Sequence, residues 1–140
     1  NLQNVDLSGT DLSGVDLSGV DLSGVQAGLF SGTPINIPLD YQIISNNNRY
    51  LVGPNVDLSG YDLSGIDLSG VNMTAVNLSN AILTNTKSRS FIGVPGTLPN
   101  QFKYRQNNLN QNILIGLNAR SSSVFPLACH LNEFFDLHTI

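Results

Sequence analysis

The sequence predicts an all-β protein, a chain that turns once in every five residues and stacks its turns into coils. Three observations lead there. The unit Val-Asp-Leu-Ser-Gly stands at residues 5–9, 15–19 and 20–24, and residues 10–14 differ from it only at Thr10. It returns at 56–60, then loosens through 61–65, 66–70, 71–75 and 76–80 to 81–85. A fixed period of this kind decides the architecture before any single residue does. The second observation is what the period forbids, and the third is the turn chemistry that closes each unit.

A strand alternates faces at every residue, so an odd period would send Leu17 and Leu22 to opposite faces. An α-helix advances about 100° per residue, which leaves successive leucines displaced by roughly 140°. Neither element gathers the leucines on one side. Within one unit, Val and Leu two residues apart share a side of a short extended segment. The Ser-Gly that follows supplies a turn, because Gly tolerates positive φ and the Ser hydroxyl bonds nearby backbone. If each turn is near a right angle, four units close one square coil. Stacking is then obligatory: burying one Leu and one Val gains about 1.5–3 kcal/mol each, whereas fixing five backbone residues costs about 1–2 kcal/mol apiece. A single unit is unstable, and only a contiguous stack holds.

These units resemble the pentapeptide-repeat family, whose pattern is a small residue, Asp or Asn, Leu or Phe, then Ser or Thr and Gly. The resemblance implies a right-handed quadrilateral β-helix with the central leucine pointing inward. Carried onto this chain, the inward column is Leu7, Leu12, Leu17, Leu22, Leu58, Leu63, Leu68, Met73, Leu78 and Leu83. Val5, Val15, Val20, Val56, Ile66, Val71 and Val76 take the second inward position. Tyr61 departs from the pattern, because a Tyr there must flip outward or find a partner for its hydroxyl.

Between the runs, Phe30, Pro34, Ile37, Pro38 and Tyr41 are echoed by Phe91, Pro95, Leu98, Pro99 and Phe102, each 61 residues on. A hairpin is expected after each copy: 41–45 with 49–53 around an Asn-rich loop, and 102–106 with 112–116 around another. The expected layout is a solenoid over 1–120 with hairpin insertions at 28–55 and 88–116, then a tail at 121–140. In the tail Leu127, Leu131, Phe134, Phe135 and His138 fall near one helical face, so a short helical cap or docking segment is expected. The insertions are either tolerated loops on the solenoid or regularly projecting hairpins that form a contact surface, with Tyr41, Tyr50, Phe102, Tyr104, Leu131, Phe134 and Phe135 as partner contacts.

The 140 residues make one domain, and a surface of Ser, Asn and Gly explains a charged content of only 11%. One cysteine allows no internal disulfide. No apolar run approaches the ~18 residues of a membrane span. The start at Asn1, inside a repeat, suggests a fragment, a processed product or the visible part of something longer. Residues 1–80 hold eight Asp and one Arg, a net of −7, while residues 87–120 hold five basic residues and no acid. Such a division favours self-association or docking in an assembly, although the Asp residues also simply satisfy the repeat. Like charges directly opposite in stacked strands repel, and the second run accordingly shifts from Asp57, Asp62 and Asp67 to Asn72 and Asn77.

Chemistry is sparse. His130, His138, Cys129, Glu133 and Asp136 offer a conceivable surface metal site, but no catalytic set, phosphate loop or carboxylate pair is visible. The glycosylation patterns at Asn72 and Asn77 are generated by the repeat itself. The reading is a non-enzymatic scaffold without cofactor that contacts other protein subunits in a larger assembly, such as a viral particle. It contacts neither nucleic acid nor membrane, in a cytoplasmic or virion setting rather than a secreted one. The alternatives are an acidic DNA mimic that binds a DNA topoisomerase, which the resemblance brings in, and a small metal protein centred on the tail.

Overall fold

A computed structural model of the chain describes residues 1–116, and those residues are all β with no helix. The expected helical cap, with Leu131, Phe134, Phe135 and the metal candidates of the tail, lies outside the described residues.

Each unit is built around two local devices. The Leu12 carbonyl accepts from the Val15 N–H at 3.1 Å, and Leu7–Thr10, Leu17–Val20, Leu63–Ile66 and Leu68–Val71 close in the same way. The third residue of each such turn has positive φ, 71° at Gly14 and 73° at Gly65, which is the mark of a type II turn and the reason glycine stands there. Before the turn, the Asp or Asn side chain accepts the Ser or Thr N–H two residues on, at 2.8 to 3.1 Å from Asp6 through Asn77. Positive φ therefore recurs every fifth residue from Asn4 to Leu29 and again from Asn55 to Ser90.

At Ala75 that beat falls on a side chain that dislikes it, with φ 55° at an exposed position. Left-handed backbone costs an L-residue about 1–2 kcal/mol, part of which glycine returns to the unfolded chain as entropy. Ala75→Gly is therefore expected to raise stability by about 0.5–1 kcal/mol, read as a higher urea midpoint at unchanged slope.

Parallel bridges join residues twenty apart: Asp6 to Gln26, Asp11 to Ser31, Asp16 to Asn36, Asp57 to Asn77, Asp62 to Ile82, Asp67 to Lys87, Asn72 to Ile92 and Asn77 to Thr97. Four five-residue units thus separate one layer from the next. Inside, Leu7, Leu12, Leu17, Leu22, Leu58, Leu63, Leu68, Met73, Leu78 and Leu83 are all buried in one hydrophobic cluster. At the second inward position Val56, Ile66, Val71 and Val76 are buried too, but Val5 and Val15 are 38% and 37% exposed. No described residue lies beneath those two, whereas Leu2 and Asn4 pair beneath Asp21 and Ser23 in the same layer.

One bridge breaks the step. Gln26 pairs with Asp57, thirty-one residues on rather than twenty. The eleven extra residues match an antiparallel hairpin of β1 (Gln42–Ser45) and β2 (Arg49–Val52). Residues 26, 31 and 36 still pair with the layer below, so the coil continues through most of the segment taken as an insertion at 28–55. Likewise residues 87, 92 and 97 stay in the stack, and the second insertion reduces to β3 (Phe102–Gln106) and β4 (Asn112–Gly116). The units whose sequence has drifted keep the core full by exchanging volumes. Buried Phe30 and Phe91 stand twenty residues above Thr10 and Val71, while Gly32 and Gly93 stand twenty above Leu12 and Met73. A Cβ on Gly93 would lie 3.0 Å from the Thr74 Cα, so the lower layer leaves room only for glycine.

Candidate interaction surface

Among the described residues the interior is filled, which leaves the walls and the hairpins to meet a partner. Along the walls the Asp side chains are committed to their own turns. The Ser8 hydroxyl and then its amide hold Asp6 below the ordinary carboxylate value of 3.8, and Ser13, Ser18 and Ser64 do the same for Asp11, Asp16 and Asp62. Because these folded values lie below the unfolded one, the stabilisation is present above pH 3.8 and disappears as pH falls through the depressed values. Thermal midpoints are expected to fall on acidification below 3.8. Asp62→Asn should weaken that dependence while preserving the turn, since Asn72 and Asn77 make the same turn without a charge.

Across layers, no Asp lies on an Asp in the bridged pairs. Gln26, Ser31 and Asn36 lie over Asp6, Asp11 and Asp16, and Asn77, Ile82 and Lys87 over Asp57, Asp62 and Asp67. The Asn77 amide donates to Asp57 at 3.0 Å, and Thr97 donates to Asn77 in turn. This ladder disperses the acidic charge and also occupies the Asn77 amide, one of the two glycosylation patterns.

The hairpins lie on the coil rather than standing off it. Strand β2 runs antiparallel beside the chain at Gly28, with Leu51 N–H on the Ala27 carbonyl and Leu29 N–H on the Arg49 carbonyl, both at 2.8 Å. On its far side the Tyr50 hydroxyl donates to the Asp62 carbonyl at 2.7 Å, Asn46 donates to the Ser64 carbonyl at 3.0 Å, and Gln42 to that of Gly70 at 3.4 Å. Strand alternation explains why those carbonyls need partners. The Tyr61 carbonyl and Leu63 N–H face the layer above at Ile82, so the Asp62 carbonyl faces the opposite edge. The hairpin closes part of that edge.

The aromatic residues taken as partner contacts separate accordingly. Tyr50 is fully buried and Phe102 is buried, so neither is a contact. Tyr50 faces the coil because three consecutive β2 residues, Tyr50, Leu51 and Val52, are enclosed between layers, which suspends the usual alternation. Tyr104 is half-buried, against Phe91 with ring centroids 6.1 Å apart. Tyr41 is half-buried as well and donates to the Pro54 carbonyl at 2.8 Å; burial, with Asp21 and Asp40 nearby, pushes its phenol up. Tyr61 resolves its misfit by both routes at once. Half-buried, it stands edge-on to Tyr50 and bonds the Ser8 hydroxyl at 2.8 Å.

A shallow depression of about 270 Å³ between residues 80–84 and 99–102 is lined by no ionisable group. Among the described residues no cluster of three His, Cys, Asp or Glu could hold a metal, and no helix is long and apolar enough to cross a membrane.

The five-residue beat of positive φ, the type II turns and the buried column are the physical content of a sequence family, and a comparison with family descriptions finds it: pentapeptide repeats, in eight copies, match residues 1–26 and 55–87. The chain carries pentapeptide repeats. Its repeat conformation reaches beyond the matched residues, to Leu29 and Ser90, where the sequence has drifted but the backbone has not. The comparisons with curated proteins and with solved structures returned no match. In this pentapeptide-repeat chain, sequence reasoning missed the docking of the first hairpin between layers. The available signal was the insertion length, since eleven residues cannot form a coil of four five-residue units.

Proposed function

We propose that this chain is a non-enzymatic structural module, a right-handed quadrilateral β-helix whose outside holds other protein subunits in a larger assembly, a viral particle being one such setting. The observation that carries the reading is the twenty-residue parallel pairing around one hydrophobic cluster. Four walls about one axis account for both, and the handedness follows the family resemblance. Such a body is stiff because each layer is hydrogen-bonded to its neighbours, and its interior is packed mainly with aliphatic and aromatic side chains. The polar wall groups are occupied in local turns, so function falls to shape and to the hairpins. An acidic mimic of DNA has less support, because Lys87 lies in the Asp67 column and hairpins interrupt the acidic run.

Cross-linking through exposed Lys87 and Lys103, carried out in the native particle or lysate and read by mass spectrometry, tests this. Links from both lysines to defined positions on other subunits are expected. Links confined to the chain itself would overturn the reading.

A further inference from the structure

Residues 30–41 and 91–102 build the same bend twice, 61 residues apart. The Ile35 N–H donates to the Val15 carbonyl and the Tyr41 N–H to that of Pro38, as Gly96 and Phe102 donate to Val76 and Pro99. Asn36 bridges to Asp16 below it, as Thr97 does to Asn77. Four outward positions are exposed in both bends, yet their residues exchange character. The first bend is polar at Ser31 and Thr33 and apolar at Ile35 and Leu39, which are 68% and 91% exposed. The second is apolar at Ile92 and Val94, each more than half exposed, and then carries Gly96 and Asn100. Each bend forms without the apolar pair that the other shows to water, so the fold needs neither pair. Both pairs lie within the stack: the first bend between residue 15 and the layer that Asp57 begins, Ile92 between Asn72 and the start of β4.

The first bend holds its side chains out rigidly. Pro34 and Pro38 fix φ on either side of residues 35–37. Asp40 sits at φ 74°, a left-handed value that Asp tolerates, and Tyr41 ties the bend to the Pro54 carbonyl. Leu39, at the tip, is the most exposed large apolar side chain among the described residues. A side chain already held in place loses little entropy on binding. The surroundings differ in charge. Asp16 and Asp40 border the first pair, whereas residues 87–116 hold Lys87, Arg89, Lys103 and Arg105 and no acid. Counted in five-residue units from the Gln26–Asp57 bridge, Asn36 lies two walls on and Ile92, over Asn72, three. The pairs therefore face outward from neighbouring walls, two layers apart, and do not meet within one molecule.

We propose that the Ile35–Leu39 knob of one copy docks on the Ile92–Val94 patch of a second copy. This rests on the assembly reading and names one subunit of the assembly, another copy of the chain. A lone exposed apolar residue needs no partner. Here two apolar pairs, each dispensable for its bend, stand in surroundings of opposite charge. Knob on knob would set Asp against Asp, whereas knob on patch brings Asp16 and Asp40 to a basic neighbourhood. The contact is heterologous, with different surfaces meeting from the two copies.

Sedimentation equilibrium on the full chain, from micromolar to millimolar concentration at low ionic strength, tests the contact. Wild type is expected to self-associate, and less so as salt is added. The blocking variants borrow polar residues from the opposite bend, which folds with them. Ile35→Ser with Leu39→Asn removes the knob, and Ile92→Ser with Val94→Thr removes the patch. Each is expected to stay monomeric where wild type associates. Mixed in equal parts, the two are expected to pair, because each retains the surface that the other lacks. Circular dichroism matching wild type shows that the fold survives. Asp40→Asn, outside both apolar pairs, should weaken association severalfold. Wild type that is monomeric throughout, or double variants that associate as wild type does or fail to pair when mixed, would overturn the proposal. A monomer that still cross-links to other subunits in its native setting would leave the assembly reading intact and remove only this contact.

Discussion

Leu63→Ala is expected to destabilise the protein by about 2–5 kcal/mol, the cost of a cavity in a core that cannot collapse around it. Leu63 is fully buried, its N–H donates to the Ile82 carbonyl at 2.9 Å, and its carbonyl accepts from Ile66 and from the buried Thr86 hydroxyl. Small domains hold only about 5–15 kcal/mol in total, so the loss is a large share. Position matters as much as magnitude. Layers touch only their neighbours, so a cavity here weakens the joint between the first run and the second. Urea unfolding should show a lower midpoint and a loss of single-step cooperativity, whereas Leu7→Ala, already 6% exposed, should cost less and leave one transition.

Tyr50→Ala should cost about 3–5 kcal/mol, the range for removing a large buried ring. Tyr50 is the member of the hairpin that touches both layers. Its ring is fully buried, lies 5.8 Å from that of Tyr61, and its hydroxyl satisfies the Asp62 carbonyl. Tyr61 in turn fills the space over Gly28, where an added Cβ would sit 2.7 Å from the ring. Removing Tyr50 therefore loosens a second aromatic. Tyr50→Phe keeps the packing and drops one hydrogen bond, for about 1 kcal/mol; Asn46 still reaches the Asp62 carbonyl at 3.3 Å. Thermal unfolding of the two variants separates packing from hydrogen bonding.

The parts of the fold legible in the sequence were those in which one residue type has one job. Gly recurs where φ must be positive, Leu where the axis is, and Asp where the Ser N–H needs an acceptor. Legibility failed where two residues share a job. Phe30 with Gly32, and Phe91 with Gly93, fill the space that a small residue and a leucine fill elsewhere, so the spacing hides the continuing coil. Ser88 occupies the column of Leu68, twenty residues on, and is buried there as a polar residue. Tyr50 was misread for a different reason. A hairpin strand normally shows one face to water, but β2 is enclosed from both sides, and nothing in four residues of Arg-Tyr-Leu-Val records that a layer returns over them. The exposure of Val5 was not legible for the complementary reason: Val5 and Val56 are the same letter, 38% and 0% exposed, and a described layer lies beneath Val56 but not beneath Val5.

Through-hydrogen-bond NMR couplings between layers test the stacked coil most directly. The expected pairs are the Asn77 N–H with the Val56 carbonyl, the Ile82 N–H with that of Tyr61, and, across the hairpin, the Asp57 N–H with that of Val25. Couplings at those separations would establish the register of the layers and the excursion of the first hairpin together. Couplings between Asp57 and residues of the hairpin instead, or none across a full layer, would contradict it.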